Sequence, residues 1–328
     1  MDHPIKTAVI GVGSLGQHHA RNYAANPDCE LVAVVDTDEK RAQTIAKTNK
    51  TEACTDYREL IGKIQAASVV VPTVKHFEIA KELLESGIHV LVEKPITKSV
   101  EEAHELIQIA KANNRILQVG HIERFNAPIM ELRQIVDRPA FIEAHRLGPF
   151  DPRVQDIGVV LDLMIHDLDI IRELVGESRV VSIDAVGVSV FTQYEDIANA
   201  RLHFENGCIA NITASRVTPK KQRKIRLFQE DTYISIDCAK PSMEIYTKEK
   251  VTSPRPGEMP VEVIRKRKRL KKEEPLKVEI SHFLDCVEKQ QKPQIDGVKA
   301  RDALQLAVEI TEQIRAKKDV FSRSAITL

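Results

Sequence analysis

The 328-residue chain has no surplus of either charge, since 48 Lys and Arg stand against 48 Asp and Glu. A dedicated binder of nucleic acid or of an acidic membrane carries a basic excess, so composition argues against both. Cysteine is sparse. Cys29, Cys54, Cys208, Cys238 and Cys286 are odd in number and far apart, with no C-x-x-C pair and no histidine cluster beside them. That spacing speaks against a disulfide framework and structural zinc, and no metal is expected. No apolar run reaches the ~20 residues that cross a bilayer. The opening MDHPIKTAVIGVG also lacks the apolar core and small-residue cleavage site of a secretory signal. A soluble protein of a reducing, cytoplasmic compartment is therefore expected. What is present is globular: 42% hydrophobic and 29% charged residues, in a chain long enough for about two domains.

From residue 7 to about 120, short β-rich apolar runs alternate with helical patterns, the signature of βαβ units on a parallel sheet. Strands are predicted at 7–10, 31–35, 68–71, 89–92 and 116–119. Phe77, Ala80, Leu83 and Leu84 recur at helical spacing and stop at Gly87, and Ser99 with Glu102 makes a capping box. After Gly120 the rhythm changes. Helical stretches near 128–136 and 161–174 give way to β-rich sequence from 180 to about 246, where Asn206-Gly207 supplies a hairpin turn. Residues 298–317 return to a helical face. Seven of the eight residues at 265–272 are basic, and they are expected to form a solvated hairpin or loop. The neutral chain and the lack of interleaved aromatics tell against a nucleic-acid patch there.

Gly11-Val12-Gly13-Ser14-Leu15-Gly16 follows the apolar run Ala8-Val9-Ile10 and opens a helical segment. The first glycine permits the tight turn, the second lets backbone approach a pyrophosphate, and the third lets helix and strand pack closely. Free N–H groups at the helix start face the phosphate charge. Leu31 to Val35 is a second apolar strand ending in Asp36, 20 residues after Gly16. Asp36 accepts from both ribose hydroxyls of an adenosine and repels a 2′-phosphate, so NAD is favoured over NADP; Lys40 and Arg41 nearby would offset that repulsion. The predicted fold class is α/β: an N-terminal Rossmann doubly wound parallel sheet plus a C-terminal α+β domain with antiparallel strand pairing. Expected boundaries are 1–121 for the dinucleotide-binding domain and 122–298 for a substrate-binding and oligomerisation domain. A C-terminal helix and tail at 299–328 is expected to pack back on the first domain.

Two further segments lead to the chemistry. Val71-Pro72-Thr73 precedes His76, and Gly87-Ile88-His89-Val90-Leu91-Val92 ends in Glu93-Lys94-Pro95. With the glycine motif and Asp162-x-x-x-His166, these pieces resemble the glucose-fructose oxidoreductase/inositol dehydrogenase/MocA (Gfo/Idh/MocA) family along nearly the whole chain. The resemblance implies a Rossmann domain joined to a C-terminal α+β domain with a large mixed or antiparallel open sheet, oxidation of a sugar or polyol hydroxyl, and a catalytic set on Lys94, Asp162 and His166. It also implies a cofactor set of Gly11, Gly13, Ser14, Leu15, Gly16, Asp36, Pro72, Thr73, His76, Glu93, Lys94 and Pro95. The residue chemistry agrees with it. On one helix Asp162 and His166 share a face, and an imidazole of unperturbed pKa ~6.5 suits removal of a hydroxyl proton at neutral pH. Lys94 would stabilise the developing alkoxide. His19 reads as structural.

His121-Ile122-Glu123-Arg124-Phe125-Asn126 crosses between the two expected domains. Together with the later Leu161-Asp162 segment it is similar to the branch of the family that acts on nucleotide sugars such as UDP-N-acetylglucosamine, at the 3-hydroxyl. The candidate substrate contacts are His121, Arg124, Phe125, Asn126, Arg146 and Arg216 beside Lys94, Asp162 and His166, the arginines pairing with a diphosphate. The alternatives are a dehydrogenase or reductase of a free sugar, polyol or imine, and a non-catalytic NAD(P)-sensing or scaffold protein. A homodimer or homotetramer through the C-terminal sheet is expected, with no nucleic-acid or membrane partner.

Overall fold

The computed structural model describes residues 4–251, 261–271 and 273–324, with Arg153 and 318–324 described by backbone alone. The chain forms two compact units: Met1–Phe125 with Glu273–Leu304, and Asn126–Lys272 with Gln305–Leu328.

In the first unit six parallel strands lie in the order β3-β2-β1-β4-β5-β6. They are β1 (Ile5–Ile10), β2 (Cys29–Val35), β3 (Glu52–Cys54), β4 (Ala66–Val69), β5 (His89–Glu93) and β6 (Leu117–Gly120). The order reverses between β1 and β4, so the strand ends there diverge and leave a crevice at their carboxyl side. Every residue of β4 and β5 is buried, as expected of parallel strands covered on both faces. The helices between them are α1 (Gly16–Ala24), α2 (Glu39–Asn49), α3 (His76–Glu85) and α4 (Val100–Ala112). Ser99 accepts from the Glu102 N–H at α4, as its sequence promised. Glu102 returns to the Lys98 N–H, one residue earlier than a capping box places it.

Helix α7 (Pro275–Lys289) belongs to this unit, not to the second domain where the sequence reading put it. Its Leu276, Ile280, Phe283 and Leu284 share one apolar cluster with Val9, Val34 and Leu91. Each such side chain contributes about 1.5–3 kcal/mol by leaving water, which outweighs chain order in deciding where the helix packs.

The second unit is built on eight strands in the order β14-β13-β12-β11-β7-β10-β9-β8. They are β7 (Phe141–Leu147), β8 (Val180–Val188), β9 (Ile197–Phe204), β10 (Ile209–Ser215), β11 (Gln222–Gln229), β12 (Thr232–Asp237), β13 (Ser242–Lys250) and β14 (Val261–Arg269). Among the described residues of this sheet, only the β7–β10 pair is parallel. Ile142, Ala144 and Arg146 of β7 point to a buried face. That face meets α6 (Ile165–Val175), preceded by one π-helical turn at Val160–Met164 and, earlier, by α5 (Ala127–Leu132).

The basic run forms a strand. β14 pairs along β13, and its alternate residues Arg265 and Arg267 meet Glu244. A charged outermost strand also discourages pairing with a further chain. Lys272 and residues 325–328 lie outside the described residues. The last helix, α8 (Gly297–Ser324), belongs to the first unit only as far as Leu304. Beyond it, Gln313 bonds the backbone of Ile183 and Ala185 on the edge strand β8, so this part of the helix packs on the second sheet instead of returning to the first unit.

Candidate active site

The glycine motif makes the turn from β1 into α1. Gly11 sits at φ +86°, and a Cβ there would lie 2.4 Å from the Val70 carbonyl oxygen. A Cβ on Gly16 would come within 1.8 Å of the Gly11 oxygen, so neither position admits a side chain. Beside Gly13 nothing lies within 4 Å of an added Cβ, which leaves the backbone open to a phosphate. A cavity of about 760 Å³ opens here, lined by Gly11, Gly13, Asp36, Arg41, Pro72 and Lys75 among others. This is the donor set and the space a dinucleotide requires. Ser14, Leu15 and Gly16 complete the turn but do not line the cavity, nor do Thr73, Glu93, Lys94 and Pro95.

Asp36 follows directly after β2, and its carboxylate is fully engaged. Val12 N–H donates to Oδ2 at 3.0 Å and Asp38 N–H to Oδ1 at 2.9 Å, while Arg41 Nη1 lies 3.2 Å from both oxygens. With about four lone-pair sites on a carboxylate, ribose hydroxyls must displace Arg41, whose side chain is 47% exposed. Tyr57, Arg58 and Lys75 also reach this cavity and were not singled out by sequence. They come from the segments after β3 and β4, and only the strand order shows that these face the motif.

His76 is 1% exposed and braces two loops. One ring nitrogen lies 2.8 Å from the Pro95 oxygen and the other 2.9 Å from the Val71 oxygen. Burial holds its imidazole below the usual histidine range, against the pull of those carbonyls. The sequence placed His76 on the cofactor; the fold gives it the work of tying the Pro-Thr loop to the Glu-Lys-Pro loop. Glu93 is buried at the end of β5, and its Oε2 accepts the Lys94 N–H at 3.2 Å. Burial would push this carboxyl up, but the hydrogen bond from His19 and the charge of Lys94 bring it below the usual range. Lys94 itself is half-buried.

In the second unit Asp162 lies in the π-helical turn and His166 in the first turn of α6, both half-buried. Single π turns inside helices recur at functional sites. Arg146 and Arg216 stand differently from their sequence reading. Arg146 is 3% exposed and forks onto Asp167, Nε to Oδ2 at 2.9 Å and Nη2 to Oδ1 at 2.8 Å. Arg216 is 2% exposed, donates to Asp196 Oδ1 at 2.8 Å and to the Val154 oxygen at 2.7 Å, and sits over the Phe150 ring. Three backbone N–H groups, of Val190, Phe191 and Thr192, also reach Asp196 Oδ2. Both guanidiniums hold the unit's interior together, so a diphosphate would have to compete with buried carboxylates for them.

In the connecting segment, His121, Arg124 and Phe125 are buried within the first unit, Phe125 against the His282 ring at 5.4 Å. Asn126, at the start of α5, is half-buried. Among the described residues no group of three or more His, Cys, Asp or Glu is placed to hold a metal ion. Among the described residues no helix is long and apolar enough to cross a membrane.

The glycine turn, the acid just after β2 and the crevice at the strand ends define the Rossmann unit of an NAD-binding oxidoreductase. The chain belongs to the Gfo/Idh/MocA family: its model "Oxidoreductase family, NAD-binding Rossmann fold" matches residues 5–121 and the family's C-terminal domain matches 135–244. The chain is 37% identical over 313 residues to UDP-N-acetylglucosamine 3-dehydrogenase of Acidithiobacillus ferrooxidans, covering 95% of this chain and 98% of that one. A solved structure of that enzyme matches with a TM-score of 0.88 at 36% identity, covering 96% and 99% of the two chains. The scyllo-inositol 2-dehydrogenase (NAD(+)) of Bacillus subtilis is 30% identical over 238 residues, 67% of this chain and 69% of that one. The scyllo-inositol dehydrogenase of Lactobacillus casei, solved with NAD(H) and scyllo-inositol, shares the fold at 19% identity, with a TM-score of 0.80 and coverage of 96% and 98%.

Proposed function

We propose that this oxidoreductase oxidises a secondary hydroxyl of a nucleotide-linked sugar, the 3-hydroxyl of a substrate such as UDP-N-acetylglucosamine, with NAD. The observation that carries the reading is the extent of likeness. The nucleotide-sugar dehydrogenase matches through 95% of the chain, the inositol enzyme through 67%. With NAD bound, its nicotinamide supplies the hydride acceptor. His166 takes the hydroxyl proton as the C–H hydride leaves and the C=O bond forms. Asp162, four residues earlier in the π turn, orients the imidazole. Lys94 donates to the oxygen on which negative charge grows, an interaction stronger in the transition state than before it. Asn126 is retained as a substrate contact.

The test is a scan for NADH production with UDP-N-acetylglucosamine, other UDP-sugars, glucose and inositol. Turnover of the nucleotide sugar is expected. Turnover of inositol or glucose with no response to any nucleotide sugar would overturn the substrate assignment. Lys94→Ala and His166→Ala are each expected to lower kcat at least ~10²-fold while the affinity for NADH holds. An unchanged kcat would overturn the roles given to Lys94 and His166, and no turnover with any of these substrates would favour a sensing protein.

A second copy of this chain is the partner we propose for the open face of the second sheet. Opposite α6, Phe141, Phe228, Tyr233 and Tyr246 form a row across four strands, with ring centroids 5.8, 4.7 and 5.3 Å apart, and Arg265 ends it 5.6 Å from Tyr246. Phe228 is 39% exposed in the single chain, an unusual position for an aromatic ladder to be left in water. Elution at monomer mass across micromolar concentrations would refute this.

A further inference from the structure

A chain of buried polar side chains runs under the Glu-Lys-Pro loop and is used by none of the steps above. His19 and Tyr23 are four residues apart on α1 and face the sheet together. Tyr23 Oη lies 2.9 Å from Ser68 Oγ on β4, Ser68 Oγ lies 3.2 Å from His19 Nδ1, and His19 Nε2 lies 3.1 Å from Glu93 Oε1 on β5. His19, Ser68 and Tyr23 are all 0% exposed. A neutral imidazole satisfies the chain with each proton used once: Tyr23 donates to Ser68, Ser68 to Nδ1, and the Nε2 proton to the carboxylate. The far end agrees, because burial raises the Tyr23 hydroxyl above the usual tyrosine range and keeps its proton in place.

The carboxylate divides its two oxygens. Oε1 is held by His19, while Oε2 accepts the backbone N–H of Lys94. Gly120, paired with Glu93 across β6, leaves room for this, since a Cβ there would lie 2.8 Å from Oε1. A buried polar network is costly, and apolar replacements are often neutral or stabilising, so stability alone does not explain four such residues in series.

We propose that Tyr23, Ser68 and His19 form a positioning relay that fixes Glu93 and, through the Glu93–Lys94 hydrogen bond, sets where the Lys94 ammonium stands. The inference rests on the catalytic reading of Lys94 given above. His19 is then a positioning residue: it touches neither substrate nor cofactor, and acts only through Glu93.

The test is a double-mutant cycle joined to a direct view of Lys94. Lysines are labelled by reductive ¹³C-methylation, and the Lys94 resonance is assigned through Lys94→Arg. In His19→Leu that resonance is expected to shift and broaden, whereas His19→Gln, which restores one N–H toward Glu93, returns it. With UDP-N-acetylglucosamine and NAD, His19→Leu is expected to lower kcat about 10- to 100-fold, the loss that a misplacement of about 1 Å produces. KM should change little, and the loss should vanish in the Lys94→Ala background. Equal loss with and without Lys94, or an unmoved resonance, overturns the relay. If Lys94→Ala leaves kcat intact, the catalytic reading fails by itself, while the resonance still decides whether the chain positions Lys94. Should His19→Leu not fold, Ser68→Ala takes its place in the same cycle.

Discussion

His89 opens the strand that carries Glu93 at its other end, and it makes the first unit acid-sensitive. Its Nδ1 accepts the Ile116 N–H at 2.9 Å, and Arg115 Nη1 lies 3.2 Å from Nε2. A second ring proton would set N–H against N–H at Ile116 and add positive charge beside a guanidinium. Burial, then the Arg115 charge, push this imidazole down to about 4 from an ordinary 6.5. The unfolded chain therefore binds a proton below about pH 6.5 that the folded chain refuses until about pH 4. Stability is lost as pH falls through that window, by at most about 3 kcal/mol at ~1.4 kcal/mol per pH unit. Between pH 7 and 4.5 the loss from this residue is about 2 kcal/mol. Asn in its place keeps an acceptor for Ile116 and does not titrate. Urea denaturation followed by circular dichroism should show wild type losing this much more stability than His89→Asn over the interval, while other titrating groups cancel. A difference that stays flat from pH 7 to 4.5 would refute the reasoning.

Removing the charge at the cofactor acid should change nucleotide choice. Asp36→Asn keeps an acceptor for Val12 and is expected to shift the NADP to NAD ratio of kcat/KM toward NADP by about tenfold, or ~1.4 kcal/mol; a wild-type preference for NADP would defeat the charge argument. The buried fork in the second unit separates its two readings. Arg146→Ala strands Asp167, so a stability loss of about 3–5 kcal/mol is expected with KM for a nucleotide sugar unchanged in the folded fraction. A raised KM at full stability would return Arg146 to the substrate.

The sequence was most legible where function restricts the backbone itself. Gly11 and Gly16 can be read because no other residue fits between β1 and Val70, and Asp36 because a strand end fixes its place. What failed to show was partnership across the chain. Arg146 and Arg216 look like free donors until Asp167 and Asp196, 21 and 20 residues away, are folded beside them. His19 reads as a structural histidine because its carboxylate lies 74 residues on, at the end of a strand three positions away in chain order from β2. Helix α7 was assigned to the wrong unit for the same reason: its apolar face was visible, but not the Val9 and Leu91 surface that receives it. A polar side chain does one job on the surface and another beside a buried charge, and desolvation decides between them by several kcal/mol. Residue type narrows the chemistry that a site can perform. Which residues are left to perform it depends on those the interior has already taken, as the engaged Arg146 and the Glu93 oxygen turned toward Lys94 illustrate.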